Sequence, residues 1–180
     1  MKILGIIGGM SPESTATYYT EINRLVNQKK GGNISAPIVM VSVEFEEIVQ
    51  CQKQTEWHRA GEILAEAGKK LEMIGAEGIV LATNTMHKVA PQIERALSIP
   101  FLHILDATAD AIKSRGLNKV ALLGTKFTMS DNFYRDGLIV RGITPIVPNE
   151  SAQNEIHRII FDELCAVSYT HLRAHETKAN

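Results

Sequence analysis

The stretch EGIVLATNTMHK, residues 77–88, contains the clearest indication of the fold. Its residues 78–82 form a short apolar run without polar alternation, which is typical of a strand buried on both faces of a parallel sheet. The run ends in Thr83, Asn84 and Thr85, and a helical pattern follows. Such residues cap helices, but ligands also bind beyond the carboxyl ends of strands in open α/β sheets. Both explanations are open for these three residues.

Apolar runs and helical patterns alternate along most of the chain. This alternation predicts an α/β fold with a parallel-sheet, three-layer, Rossmann-like architecture. The strand end LLGT near residue 125 resembles LATNT near residue 85, so two pseudo-symmetric lobes are expected. The first lobe is placed at residues 1–99, and residues 100–165 are the start of a second, incomplete lobe. Strands are predicted at residues 2–8, 37–43, 78–82, 100–106, 119–125 and 144–148.

Local signals predict the helices between these strands. Ser11 suits an N-cap, Pro12 the first helical position and Glu13 the positive end of the helix dipole, so a helix is expected from there to about residue 27. An irregular stretch is expected at residues 44–54. Further helices are expected from residue 55 to Gly75 and at residues 86–97, 107–116, 128–140 and 151–165.

Residues 166–180, AVSYTHLRAHETKAN, follow neither a helical nor a strand period. They resemble the translation of a sequencing-adapter read-through, so a non-native or disordered tail is expected. The second lobe would then lack its last strands.

Composition argues against several classes of function. The formal net charge of −1 offers no basic surface for nucleic acid. No segment has the form of a signal peptide or the length of an apolar membrane span. The two cysteines are far apart, which is typical of a reducing cytoplasm, and the six histidines show no metal-ligand spacing. A cytoplasmic protein without a metal, a membrane or a nucleic-acid partner is expected.

Three predicted loops follow the carboxyl ends of strands, at residues 8–11, 83–85 and 124–128. Each leads into a helix, whose free N–H groups and dipole favour an anion. A small carboxylate is therefore a sensible ligand. The nucleotide-binding patterns GxGxxG and GxxxxGK[ST] and the nucleophile elbow GxSxG do not occur in the sequence.

Three motifs, GIIGGMSPESTATYY, GAEGIVLATNTMHK and LLGTKFTMSDNFY, stand in an order that resembles the aspartate/glutamate racemase family. The resemblance covers about residues 1–165. It implies racemisation of an acidic amino acid, aspartate or glutamate, without pyridoxal phosphate, metal or other cofactor. One group removes the Cα proton and a second returns a proton to the opposite face. The resemblance also implies a homodimer, with the apolar face of the helix after Ser11 as the candidate contact.

In this family the two acid/base groups are typically cysteines, one from each lobe. Thr83 stands at the first position and is the implied catalytic residue, but a hydroxyl is a far weaker acid than a thiol. Asymmetry between the L and D enantiomers is therefore expected. Cys165 lies inside a predicted helix and does not replace the second cysteine, so the 180-residue chain is expected to be inactive. The implied substrate-binding residues are Met10, Gln52, Thr83, Asn84, Thr85, Thr125 and Thr128.

Simpler interpretations of these residues stay open. Thr125 and Thr128 suit helix capping, Met10 suits a core position, and Gln52 suits a solvated loop. His87 either supports the site or caps its helix. The alternative functions are a non-catalytic module that binds an amino acid or small carboxylate, and another isomerase or decarboxylase of the same superfamily.

Overall fold

A computed structural model describes residues 1–165 of the chain, and the tail expected from residue 166 lies outside them. The chain divides into two compact units, Met1–Leu117 and a second one that begins at Asn118. Both units are α/β with parallel strands, which confirms the predicted fold class. No helix within residues 1–165 combines the length and apolar character that crossing a bilayer requires.

The first unit is built on a four-stranded parallel sheet with the order β2-β1-β3-β4. The strands are β1 (Leu4–Gly8), β2 (Ile38–Ser42), β3 (Gly78–Leu81) and β4 (Phe101–Leu102). The helices are α1 (Pro12–Lys30), α2 (Phe45–Lys53), α3 (Trp57–Met73), α4 (Ala90–Ala96) and α5 (Ile104–Lys113). A 3₁₀ turn, Thr85–Val89, joins β3 to α4.

Strands β1 and β3 are neighbours, so their carboxyl ends meet at one edge of the sheet. Ile7 pairs with Leu81, and the N–H of Ala82 donates to the Ile7 carbonyl at 2.9 Å. Ile7 and Leu81 are both buried, as their unbroken apolar runs predict. The loops that follow β1 and β3 therefore start side by side.

Helix α3 covers the central strands through a stripe of small and aliphatic residues. Leu64 and Leu71 are completely buried in the core beside Ile7. Each such side chain stabilises the fold by about 1.5–3 kcal/mol relative to an exposed position. At Gly61 the terminal amide of Gln92 from α4 lies where a Cβ would stand. This packing fixes the edge of the sheet from which the loops emerge.

The prediction of an irregular stretch at residues 44–54 is wrong, because α2 occupies most of these residues. The Glu44 carboxylate accepts the backbone N–H groups of Glu46 and Glu47 at 3.0 and 2.7 Å. This side-chain cap starts the helix. One face of α2, including Ile48 and Gln52, is buried. Gln52 is thus held by a helix rather than by a solvated loop.

Strand β4 is shorter than expected, and α5 begins within the stretch predicted to be strand. His103 caps α5, because its Nδ1 accepts the N–H of Leu105 at 3.1 Å. β4 pairs with β3 and belongs to the first sheet. The division between the units therefore falls after Leu117 rather than near residue 100.

In the second unit, described as far as residue 165, β5 (Lys119–Ala121) pairs with β6 (Thr144–Ile146). The single helix expected at residues 128–140 is two helices, because the backbone is extended at Asp131. The helices are α6 (Lys126–Ser130), α7 (Asn132–Val140) and α8 (Glu150–Arg158), followed by a π-helical segment, Ile159–Leu164.

His87 lies in the turn after β3 and is 2% exposed. Its Nδ1 is 2.7 Å from the carbonyl oxygen of Thr83, and its Nε2 accepts the N–H of Ile104 at 3.3 Å. The ring packs against His103 and Phe101, with centroids 4.8 and 5.7 Å away. Burial, and then the neighbouring His103, lowers the pKa of His87 from 6.5 to about 4. A neutral histidine therefore links the end of β3 to the start of α5.

We expect Gly9→Ala to destabilise the protein far more than Gly31→Ala. Both glycines have a positive φ, 95° and 78°, but only at Gly9 would a Cβ overlap the Val43 backbone; nothing lies within 4 Å at Gly31. Backbone strain costs about 1–3 kcal/mol, since Gly31 with φ 78° and ψ −179° lies in a region that essentially only glycine adopts, and the overlap should add about 1–3 kcal/mol at Gly9. Urea unfolding measures both values, and equal losses would contradict this packing.

Acid should weaken the fold through His87. The unfolded histidine takes up a proton near pH 6.5, whereas the folded one does so only near pH 4. Stability should therefore fall as the pH decreases through this window, by about 3 kcal/mol. Urea unfolding of wild-type protein and of His87→Asn across pH 4–7 isolates this contribution from that of the carboxylates. Free energies of unfolding that change with pH in parallel for the two proteins would contradict this role of His87.

Candidate active site

The loop after β1 is fixed by hydroxyl groups of α1. Thr15 Oγ1 accepts the N–H of Gly9 and donates to the carbonyl of Ser11, both at 2.8 Å. Ser14 Oγ donates to the carbonyl of Ala82, at the end of β3, at 3.1 Å. The first loop is therefore tied directly to the second. Small polar residues one turn into a helix were the only sequence signal for this arrangement.

Met10 lies in this loop, and its side chain is buried. It packs in the same hydrophobic core as Ile48, Cys51 and Met86. The core interpretation of its side chain is thus confirmed. The involvement of its loop in substrate binding stays a prediction.

The three polar residues after β3 differ in exposure. Thr83 is half-buried, Asn84 is exposed and Thr85 is buried. Asn84 occupies the N-cap position of the 3₁₀ turn, but its side chain makes no capping hydrogen bond. The Thr83 hydroxyl has no hydrogen-bond partner among residues 1–165. Helix capping by Asn84 therefore does not account for this cluster.

The backbone of Thr83 is held on both sides. Its N–H donates to the carbonyl of Leu81 at 2.9 Å, and its own carbonyl faces Nδ1 of His87 at 2.7 Å. The Cβ atom of Thr83, which carries the hydroxyl group, therefore has a fixed position at the end of β3. The role of His87 is not evident from sequence alone, because the partner at its other nitrogen, Ile104, is distant in the chain.

Gln52 reaches the same segment from α2. It is 5% exposed, and its Nε2 donates to the thioether sulfur of Met86 at 3.1 Å. A thioether is a weak acceptor, so a carboxylate oxygen would be a better partner for this amide. Gln52 and residues 83–87 are therefore brought together at the carboxyl edge of the first sheet.

Cys51, next to Gln52, is not suited to proton transfer. The thiol is buried in the core. Desolvation raises its pKa, and the negative charges of Glu56 and Glu47 raise it further. A thiol in this environment stays protonated at neutral pH. Cys51 is a structural side chain of α2.

The two threonines of the loop after β5 belong to the second unit. Thr125 Oγ1 accepts the N–H of Thr128 at 3.3 Å, and the two hydroxyl oxygens are 3.2 Å apart. Thr128 is 2% exposed. The capping interpretation is therefore confirmed for Thr125. A role of Thr125 and Thr128 in substrate binding stays a prediction.

His157 completes the start of α6. Its Nδ1 accepts the N–H of Lys126 at 3.2 Å, and its ring packs on Phe127 and Phe161, with centroids 5.9 and 4.8 Å away. The only signal for this role in the sequence is the four-residue spacing of His157 and Phe161, which places both on one helical face. An N–H that was expected to face an anion is thus bonded to an imidazole.

A metal centre finds no support in the described part of the chain. Among residues 1–165, no three His, Cys, Asp or Glu side chains are grouped so that they could hold an ion. The chemistry that the arrangement offers is hydrogen bonding by hydroxyl, amide and backbone N–H groups around the end of β3. Such donors suit a small carboxylate.

Comparison with known proteins assigns the chain to a family. The sequence pattern of the Asp/Glu/hydantoin racemases matches residues 7–175. The chain is also similar to the broad specificity amino-acid racemase RacX of Bacillus subtilis (strain 168). The two are 25% identical over 160 residues, which are 88% of this chain and 69% of RacX.

Two crystal structures resemble the chain closely. A proposed Asp/Glu racemase from Yersinia pestis superposes with a TM-score of 0.86 and 48% identity, over 97% of this chain and 77% of the other. An aspartate racemase homologue from Pyrococcus horikoshii OT3 superposes with a TM-score of 0.78 and 40% identity, over 91% and 72% of the two chains. This chain therefore belongs to the Asp/Glu/hydantoin racemase family, a family of isomerases that includes amino-acid racemases such as RacX.

Proposed function

We propose that the protein acts on an acidic amino acid, aspartate or glutamate, and that Thr83 faces one side of its Cα. The observation that carries this proposal is the position of Thr83. It is half-buried at the carboxyl end of β3, next to the loop after β1, and its backbone is held on both sides. Substrate binding and proton transfer both need a group fixed in this way.

The choice of an acidic substrate rests on Gln52 and on the relatives. The buried amide of Gln52 donates only to the thioether of Met86, which is a weak acceptor. The amide can therefore exchange this bond for one to a substrate carboxylate. The Pyrococcus horikoshii relative is described as an aspartate racemase homologue, whereas RacX has broad specificity. A neutral amide accepts a range of polar side chains, so both kinds of specificity are compatible with Gln52.

The proposed reaction is a proton transfer across the Cα carbon without a cofactor. A base takes the Cα proton, the carbanion is stabilised by N–H donors at the carboxylate, and a second group returns a proton to the opposite face. A threonine hydroxyl is a poor base at neutral pH. Thr83 is therefore proposed to deliver a proton, directly or through water, to a carbanion that a second group must generate, and this dependence makes the two directions of turnover unequal.

The second acid/base group is not supplied by either cysteine of the chain. Cys51 is buried with a raised pKa, and Cys165 directly follows the segment Ile159–Leu164 in the second unit. We therefore propose that the 180-residue chain does not racemise its ligand. A purely ligand-binding function is the second candidate, and the threonine in place of a catalytic thiol favours it.

We expect Thr83→Cys to gain exchange of the substrate Cα proton. A thiol with a pKa of about 8.5 exchanges protons with water far more readily than a hydroxyl. The purified chain is incubated with L- or D-aspartate and L- or D-glutamate in D2O, and loss of the Cα proton signal is followed by NMR. Wild-type protein should show no exchange, and Thr83→Cys should exchange one enantiomer without racemising it.

Thr20→Cys, which places a thiol on the exposed side of α1, is the matched control and should show no exchange. Exchange by wild-type protein would contradict the assignment of a weak acid/base role to Thr83. Thr83→Cys that binds an acidic amino acid without exchange would leave ligand binding as the function. Absence of binding by every variant would overturn the proposal.

We also propose a homodimer that uses the apolar side of α1, the face of Tyr18, Ile22 and Leu25, on which Leu25 is 54% exposed. Sedimentation velocity should then show a dimer for wild-type protein and a monomer for Leu25→Glu. Thr20→Glu, a quarter to a half turn around the helix from Leu25, should leave the dimer intact. A wild-type monomer would contradict this proposal.

A cytoplasmic location stays a prediction.

A further inference from the structure

Both ring nitrogens of His87 form hydrogen bonds with the backbone. Nδ1 lies 2.7 Å from the carbonyl oxygen of Thr83, and Nε2 lies 3.3 Å from the backbone nitrogen of Ile104. The two partners stand in different loops, after β3 and at the start of α5.

The two partners determine which nitrogen of His87 carries the hydrogen. The N–H of Ile104 can only donate, so Nε2 must offer a lone pair. The carbonyl of Thr83 can only accept, so Nδ1 must carry the hydrogen. The neutral ring with hydrogen on Nδ1 satisfies both partners, whereas a protonated ring would direct an N–H against the N–H of Ile104.

The bond to Thr83 orients a whole peptide group. In a trans peptide unit the C=O and the following N–H lie in one plane and point in opposite directions. Because the Thr83 carbonyl points to His87, the N–H of Asn84 points away from it. His87 thereby sets both the position of Thr83 and the direction of the next backbone donor.

We propose that His87 is a positioning residue, which holds the Thr83–Asn84 peptide in the orientation that ligand binding requires by donating from Nδ1 to the Thr83 carbonyl. The residue itself does not touch the ligand. Its bond to Ile104 locks the ring so that Nδ1 stays aimed at this carbonyl. This inference rests on the proposed binding of an acidic amino acid next to Thr83.

Two variants separate the two bonds of the ring. The amide of an asparagine can occupy the place of Nδ1, so His87→Asn retains a donor for Thr83 and loses the acceptor for Ile104. The amide of a glutamine reaches the place of Nε2, so His87→Gln retains the acceptor and loses the donor. The control is His58→Gln, because the His58 side chain is 83% exposed on α3.

The experiment is calorimetric titration of each purified chain with L-aspartate and L-glutamate, together with its melting temperature. His87→Gln should weaken binding about tenfold, His87→Asn by no more than about threefold, and His58→Gln should bind like wild type. A purely structural role predicts that both His87 variants lose affinity in step with their melting temperatures. That result, or unchanged affinity in His87→Gln, would overturn the inference.

A second measurement needs no variant. Nitrogen NMR of the histidine rings in wild-type protein at pH 7 should show His87 neutral, with its hydrogen on Nδ1. Hydrogen on Nε2, or a charged ring, would overturn the inference even if the His87 variants do not fold. Wild-type protein that binds neither amino acid would instead overturn the proposed function, whichever form of the ring is observed.

Discussion

The parallel pairing of β1 with β3 is the constraint on which the rest of the first unit depends. Its register, with Ile7 beside Leu81, brings the ends of the two strands to one edge of the sheet. The hydrogen bond from Ser14 to Ala82 then ties the two following loops together. Core packing by α3 supports the strands from one side. The polar groups at this edge thus depend on a buried apolar framework that has no part in chemistry.

The elements predicted most accurately from sequence are those determined by local physics. A short unbroken apolar run bounded by glycine or polar residues favours a buried strand, and β1 and β3 lie where such runs occur. Ser11 caps α1 through its side chain, which accepts the N–H of Ser14, and Pro12 begins the helix, as expected. Thr83 and its neighbours are predicted to form a site because they follow a strand and stand in one of three motifs that resemble the racemase family, and their role in binding stays a prediction.

The elements that sequence missed depend on contacts between distant residues. Helix α2 begins because the Glu44 carboxylate caps it, and its burial depends on a core that sequence does not display. The end of β4 and the start of α5 depend on His103 and on the bond between His87 and Ile104, which are 17 positions apart. The role of His87 follows from these partners, so a single sequence could only suggest that it lies near the site.

The central claim is that an acidic amino acid binds at the carboxyl edge of the four-stranded sheet. The most direct test is a nitrogen–proton NMR titration of the 180-residue chain with L-aspartate. The account predicts that the largest shift changes occur in the backbone amides of residues 9–11 and 83–85. It would be contradicted by a saturable titration that leaves these amides unchanged and instead moves those lining the groove of β2 and α3, such as Ser42, Glu44 and Arg59.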